Sequence, residues 1–339
     1  MRYRSTLIYL LAALILGGLY FWDVRSERQE EAKEDAERVI FQVDGDKLRR
    51  IALKRPDQEI VLQKTGDAEE EAVWRITEPV DTEADSYAVN YVANLLPALK
   101  HTRIIEENPE DLAPFNLEEP GLTVSWATEG EAGGLLIGGQ SPMDKGFYAK
   151  KQEDPRVFLI ALNDKEILDK TLYDLRDKGL FSFAYDEPTR LEIQGPGQNW
   201  AFVKSGETTW ALPEDPDFPL DSEEVSSVVR RLTWEEAASF EAEKAEDLKT
   251  YGLEVPLHRI VLSNGEKREE LLVGSPAGGD EGGLYARMAE RPQVVTIKKE
   301  TLEGLPASLE ELRTEEPEAQ EEPSGPPGES GGETSNTKE

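Results

Sequence analysis

The sequence predicts an α+β fold: two tandem repeats of a largely antiparallel sheet with helices, preceded by one N-terminal transmembrane helix. Three observations carry this expectation. "FNLEEP" (Phe115–Pro120) recurs as "YGLEVP" (Tyr251–Pro256), 136 residues further on. Short β-rich runs group around amphipathic helices in both stretches, the pattern of a mixed fold with antiparallel sheet. Ahead of both lies an apolar run without a charge, from Leu7 to Trp22.

The chain reads from its amino terminus as a tail and anchor over residues 1–25. Leu7 to Trp22, extended by Ser5 and Thr6, gives eighteen uncharged residues. As a helix they cover roughly 27 Å, slightly less than a bilayer core of about 30 Å. Arg4 and Arg25 can snorkel to make up the difference, and Tyr20, Phe21 and Trp22 suit an aromatic belt at one interface. The run is apolar on every face, which disfavours a buried core helix. A cleaved signal peptide is the competing reading, but no small-x-small site follows "LYFWDV". Basic residues flank the run on both sides: Arg2 and Arg4 before it, Arg25, Arg28, Lys33 and Arg38 after it. The short basic head favours a cytoplasmic amino terminus, because long following domains translocate with little regard to charge. In a bacterium this places a single-pass protein in the inner membrane with its body in the periplasm.

Residues 26–40 are rich in helix formers and charge and lack an apolar stripe, so they read as a solvated helical stalk. Residues 41–183 and 184–313 form the two repeats. At the spacing of 136, "ADSYAVNYVANLL" (Ala84–Leu96) overlies "LDSEEVSSVVRRL" (Leu220–Leu232). Asp85 and Asp221 suit helix N-caps, and Val89, Val92 and Leu96 match Val225, Val228 and Leu232 on one helical face. Trp74 matches Trp210, and "LLIG" (Leu135–Gly138) matches "LLVG" (Leu271–Gly274). At spacing 137, "FYAK" (Phe147–Lys150) overlies "LYAR" (Leu284–Arg287), "VFLI" overlies "VVTI", and Leu175–Arg176 overlies Leu312–Arg313. The shift of one falls in a loop, where insertions are tolerated.

Each repeat opens with three strand-like runs: "LRRIALKR", "EIVLQK" and "AVWRI" in the first, "TRLEIQ", "WAFVKS" and "TWAL" in the second. A helix, the shared turn, four more strands and a closing helix follow. In the turn, Gly252 suits a helix-ending position of positive φ and Asn116 is the next most tolerant residue there. In the first repeat the closing helix is expected to begin at "NDKEI", with Asn163 and Glu166 as a capping box. Residues 314–339 hold eight Glu, one Lys and no Leu, Ile, Val or aromatic residue, the composition of a disordered acidic tail.

Composition narrows function mainly by exclusion. A net charge of −32 argues against nucleic acid, whose phosphates would be repelled. The absence of cysteine removes disulfides, thiol catalysis and thiolate metal sites. No phosphate-cradling G-x-x-x-x-G-K-[ST] occurs; "GSPAGG" is not a nucleophile elbow, and "VDGDK" and "GGDEGG" read as turns. His101 and His258 each lack a second ligand nearby in sequence and read as structural or surface residues. The paired tyrosines Tyr148 and Tyr285 read as packing. Seventy acidic side chains permit a catalytic pair almost anywhere and therefore single out none. No catalytic, cofactor-binding or metal-binding residue is assigned, and no cofactor is expected.

The arrangement resembles the bacterial family catalogued as domain of unknown function 4340. The resemblance rests on Trp74 and Trp210, "FNLEEP" and "YGLEVP", "LLIG" and "LLVG", "FYAK" and "LYAR", and "LRDKGLFSF" (Leu175–Phe183). The first repeat departs from the family's usual "YG" at Phe115 and Asn116. The resemblance implies an envelope accessory protein, commonly encoded beside ABC-type transporters of the gliding-motility kind. The expected function is thus a non-enzymatic, membrane-anchored accessory or scaffold component, bound to the bilayer through Leu7 to Trp22 and to a permease or auxiliary subunit. Two alternatives stay open: a periplasmic hydrolase of glycan or peptidoglycan using two carboxylates, and a module binding a small ligand or divalent cation.

Overall fold

The computed structural model describes residues 21–22, 25, 29, 33–66, 73–278 and 282–314. Apart from Phe21 and Trp22, the apolar run Leu7 to Trp22 lies outside the described residues, as does the acidic tail beyond Thr314. No helix among the described residues is long and apolar enough to cross a membrane. Of the expected stalk, residues 33–37 are helical.

The first sheet has nine antiparallel strands: β1 (Arg50–Lys54), β2 (Glu59–Thr65), β3 (Val73–Glu78), β4 (Thr82–Glu83), β5 (Arg103–Glu106), β6 (Leu122–Ala127), β7 (Ala132–Gln140), β8 (Gly146–Lys151) and β9 (Val157–Ala161). Helix α1 (Ser86–Ala98) precedes β5, and two short helices, α2 (Leu162–Leu168) and α3 (Leu172–Leu175), follow β9. The second sheet has eight: β10 (Arg190–Gly195), β11 (Gln198–Lys204), β12 (Trp210–Ala211), β13 (Ser239–Ala242), β14 (His258–Ser263), β15 (Arg268–Pro276), β16 (Leu284–Met288) and β17 (Val294–Ile297). Helix α4 (Ser222–Thr233) precedes β13, and α5 (Lys299–Glu303) follows β17.

The spatial orders are β4-β3-β2-β1-β6-β7-β8-β9-β5 and β12-β11-β10-β14-β15-β16-β17-β13. With β4 set aside, they are the same order in equivalent strands, so the two-part repeat is real at the level of topology. Even the irregularities recur. Register shifts fall between Ile137 and Gln140 and between Val273 and Pro276. They fall again at Ile104/Glu106 and Phe240/Ala242. Two compact units divide the described chain: one extends to Gly179 and includes Glu236–Ala245 and Gln293–Thr296; the other comprises Leu180–Glu235, Glu246–Pro292 and the residues from Ile297.

The sequence explains each element. Asp85 accepts hydrogen bonds from the amides of Tyr87 and Ala88, and Asp221 from those of Glu223 and Glu224, satisfying donors that a helix start leaves free. Val89, Val92, Ala93 and Leu96 are buried in one helix, and Val225, Val228, Val229 and Leu232 in the other. Each large apolar side chain so buried contributes about 1.5–3 kcal/mol. The closing segments tie back to these caps: the Asp85 amide donates to the Leu175 carbonyl at 2.9 Å, and the Asp221 amide to the Leu312 carbonyl at 2.7 Å.

The shared hexapeptide is a turn held down on the sheet. Asn116 (φ 54°) and Gly252 (φ 68°) take the left-handed conformation that "FN" and "YG" imply. The following leucines, Leu117 and Leu253, are buried. Phe115 meets Tyr148 edge-on with ring centroids 5.1 Å apart, and Tyr251 meets Tyr285 at 5.0 Å. Below each turn lies the glycine of "LLIG" or "LLVG". A Cβ on Gly138 would collide with the Phe115 carbonyl oxygen, and one on Gly274 with that of Tyr251. The four motifs thus form one contact, made twice.

Three expectations need correction. The closing helix of the first repeat is not capped by Asn163: α2 begins at Leu162 after Ala161, which makes no side-chain cap. The capping box lies instead at Thr171 and Asp174, on α3. Strands β5 and β13, expected as connecting chain, form the sheet edges beside β9 and β17. Tyr148 and Tyr285 are only half-buried, each with one face against the turn.

Gly138→Ala and Gly274→Ala are each expected to lower stability by about 1–3 kcal/mol, the range for forcing an extra methyl into a close-packed contact. Gly121→Ala, where a Cβ meets nothing within 4 Å, stays within about 0.5 kcal/mol of the parent. Denaturant unfolding of the three variants checks the contrast.

Candidate functional site

Equivalent positions of the two repeats that carry unlike residues separate local function from shared scaffold. The differences gather at one place in the first unit, where strand ends converge. Register sets Trp126 opposite Gly133, Ser125 opposite Gly134, Arg50 opposite Ala127, and Leu135 opposite Lys151. The corner so formed opens into a cleft of about 790 Å³, closed on one side by residues 36–42 and on another by His101 and residues 152–156. That volume falls in the range of small-molecule sites.

Aromatic rings make the walls. Phe41, 1% exposed, meets Trp126 edge-on, with centroids 5.5 Å apart and ring planes at 82°. The Lys151 ammonium sits 5.6 Å from the Phe41 centroid, and the His101 ring lies 5.7 Å from that of Phe158. Two glycines make the space: a Cβ on Gly133 would come within 2.6 Å of the Trp126 ring, and one on Gly134 would strike Gln152.

Polar atoms at the cleft are incompletely satisfied. Trp126 is 6% exposed, and its Nε1 has no hydrogen-bond partner among the described residues; neither has His101 Nδ1. Buried donors and acceptors are paired in the great majority of cases, so two orphans lining one cleft mark it as a place where a further molecule bonds. Arg50 and Lys151 form no ion pair among the described residues. Arg156 by contrast is fully used: its Nε and Nη2 donate to Asp154 at 2.6–3.1 Å. Those bonds hold the Asp154 carboxyl down at about 2, against the upward push of its burial. Burial, and next the Arg156 charge, lower the pKa of His101, which is therefore neutral near pH 7.

None of this chemistry is present at the equivalent positions of the second repeat. Trp126 corresponds to Leu262, Gly133 and Gly134 to Glu269 and Glu270, and His101 to Ala237. Lys151, Gln152 and Arg156 correspond to Met288, Ala289 and Gln293. The scaffold pairs behave oppositely: Lys64 and Lys204 each lie 5.9 Å from the ring of their own tryptophan, Trp74 or Trp210. Sequence reasoning missed the cleft, although this contrast between repeats was its available signal.

Other clusters are structural. His258, at the first position of β14, has Nδ1 buried and without a partner, and burial lowers its pKa. Ser182 Oγ receives a bond from Lys267 Nζ at 2.5 Å and donates to Glu269 at 2.5 Å, but Lys267 is itself bound to Glu269 at 3.2 Å. The trio is an ion-pair clasp. Among the described residues no group of three or more metal-ligating side chains comes together.

The chain belongs to the family described as Domain of unknown function (DUF4340), matching it over residues 74–214 and again over 210–323. The two matches begin at Trp74 and Trp210, the same position of the repeat. Neither a curated protein nor a solved structure matches the chain.

The two histidines are the only side chains whose ordinary pKa lies near 6.5. Both are lowered by folding, so the unfolded chain binds more protons just below that value and stability falls as pH is lowered through it. Asp154 has the depressed carboxylate's behaviour: its contribution is present above about pH 4 and disappears as pH falls toward 2. Denaturant midpoints at pH 7 and 5.5 should therefore differ, and His101→Gln combined with His258→Gln should flatten that difference while leaving the loss at lower pH.

Proposed function

We propose that this chain is a non-enzymatic, single-pass membrane-tethered binding protein of the bacterial envelope, serving as an accessory component of an ABC-type transporter assembly. The single observation that carries the reading is the division of labour between repeats. Residues common to both copies build the turn, the helix caps and the core. Residues that differ between copies make the cleft of the first unit, and they are suited to holding a molecule: aromatic walls, an unpartnered indole N–H, and cations without carboxylate partners.

The tether supports the assembly part. The cleft wall begins at Ala36, fourteen residues after Trp22. Even fully extended, that stretch reaches no more than about 50 Å. With Leu7 to Trp22 in the bilayer, the cleft stays within reach of an extracytoplasmic subunit of a membrane complex. The strong negative charge supports a protein or small-molecule partner over nucleic acid. The transporter itself follows from the family resemblance. Of the other readings, binding of a small ligand gains most from the cleft, and it is compatible with an accessory role.

Deleting residues 5–22 should move the chain from the membrane pellet to the soluble fraction, read by fractionation. Affinity recovery of the full chain from detergent extracts of native cells should bring down a permease or auxiliary subunit. Retention of the deletion variant in membranes would refute the anchor, and recovery of no membrane partner would refute the accessory role.

A further inference from the structure

We infer that the cleft of the first unit takes a monoanionic organic ligand, a carboxylate carried on an apolar or aromatic body; this rests on reading the cleft as a binding site. The first ground is the set of groups left unsatisfied. Trp126 Nε1 can only donate, and Arg50 and Lys151 can only donate and carry positive charge. A ligand that completes them must present acceptors and negative charge. A carboxylate supplies both, and charge-assisted bonds of this kind are about twice as strong as neutral ones.

The second ground is the other repeat, which serves as an internal control. Where the first has Gly133 and Gly134, the second has Glu269 and Glu270. Both carboxylates are engaged. Glu269 accepts from the Ser182 amide at 2.8 Å and from its hydroxyl, and Glu270 is held by Arg259 and by Arg268 at 2.7 Å. At these positions the second repeat supplies its own anions. The first repeat has deleted both side chains, kept an open space beside unpaired cations, and left the anion to come from outside.

The third ground limits the ligand. Glu37, Glu131 and Glu153 line the same cleft and are exposed at its rim. Like charges brought together select against a partner with several negative groups, so polyphosphates and polyacidic segments are disfavoured. The Phe41 and Phe158 rings offer an apolar surface to the body of the ligand.

The test uses the full chain in detergent, labelled with 5-fluorotryptophan. Six resonances are expected, and the Trp126 signal is assigned by its loss in Trp126→Phe. N-acetylphenylalanine should shift that signal saturably at millimolar concentration. N-acetylphenylalaninamide, the uncharged isostere, should bind about tenfold more weakly, the worth of one charge-assisted hydrogen bond. Arg50→Gln with Lys151→Gln, both at the cleft surface, should remove that preference without moving the other tryptophan signals. Gly134→Glu, which installs the second repeat's residue, should abolish acid binding. Equal binding of acid and amide would overturn the carboxylate assignment while leaving the cleft a ligand site. No movement of the Trp126 signal with either compound would also overturn it, and partner recovery from cells then tests the wider reading separately.

Discussion

Each half of this protein is organised by a backbone carbonyl resting on a glycine. The carbonyls of Phe115 and Tyr251 lie so close to Gly138 and Gly274 that no Cβ fits between. From that contact the rest follows. The chain must turn sharply after the aromatic residue, which requires positive φ at Asn116 and Gly252. The strand beneath must bend, and the register shifts after Ile137 and Val273 accommodate it. The aromatic side chain then lies against Tyr148 or Tyr285 on the neighbouring strand, adding a ring contact of about 0.5–1.5 kcal/mol beyond its area. Strands β7 and β15 are thereby fixed relative to the chain that arrives from the helix, so helix and sheet lock in one arrangement.

This is also why so much of the fold was legible. Short motifs separated by dozens of residues proved to be parts of one contact, and such parts must be kept together whenever the unit is duplicated. "YGLEVP", "LLVG" and "LYAR" are recognisable in sequence because backbone geometry leaves few alternatives at each position. The caps at Asp85 and Asp221 were readable for the same reason, as each precedes an apolar stripe of helical period. Strands β5 and β13 were not. "RIIE" and "SFEA" are short, half-buried edge strands without clean alternation, and their place is determined by pairing with β9 and β17. The supposed cap at Asn163 failed because β9 runs directly into α2, whose start is set by the buried end of the strand, whereas Thr171 and Asp174 had no such constraint.

The cleft was illegible for a different reason. Its residues come from β1, β6, β7 and β8, from the segment before the first sheet and from the loop before β9. No two of its polar groups make a motif in sequence. Trp126 faces Gly133 only through strand register, and Lys151 reaches the Phe41 ring only because β8 ends beside it. A pattern with a helical or strand period cannot encode such a meeting. A comparison of the chain with itself can, because two copies on one topology share every constraint of packing and differ where packing is not the reason.

That asymmetry explains how a strongly acidic chain can keep a positively charged pocket. With acids outnumbering bases by 70 to 38, most cations near the surface find a carboxylate, as Arg55 does in Asp169 and Arg103 in Asp144. Pairing of that kind also consumes Arg156 through Asp154 and, in the second repeat, Arg259 and Arg268 through Glu270. Arg50 and Lys151 escape it because the side chains nearest them are glycine, indole and phenyl. Replacing two potential carboxylates by Gly133 and Gly134 therefore has two effects at once. It opens volume, and it withholds the internal counter-ion that would have neutralised the site. The surrounding negative charge keeps multiply charged competitors away from the mouth, while the few unpaired donors inside favour a ligand with one anionic group. Selectivity then arises from where carboxylates were removed as much as from where cations were placed.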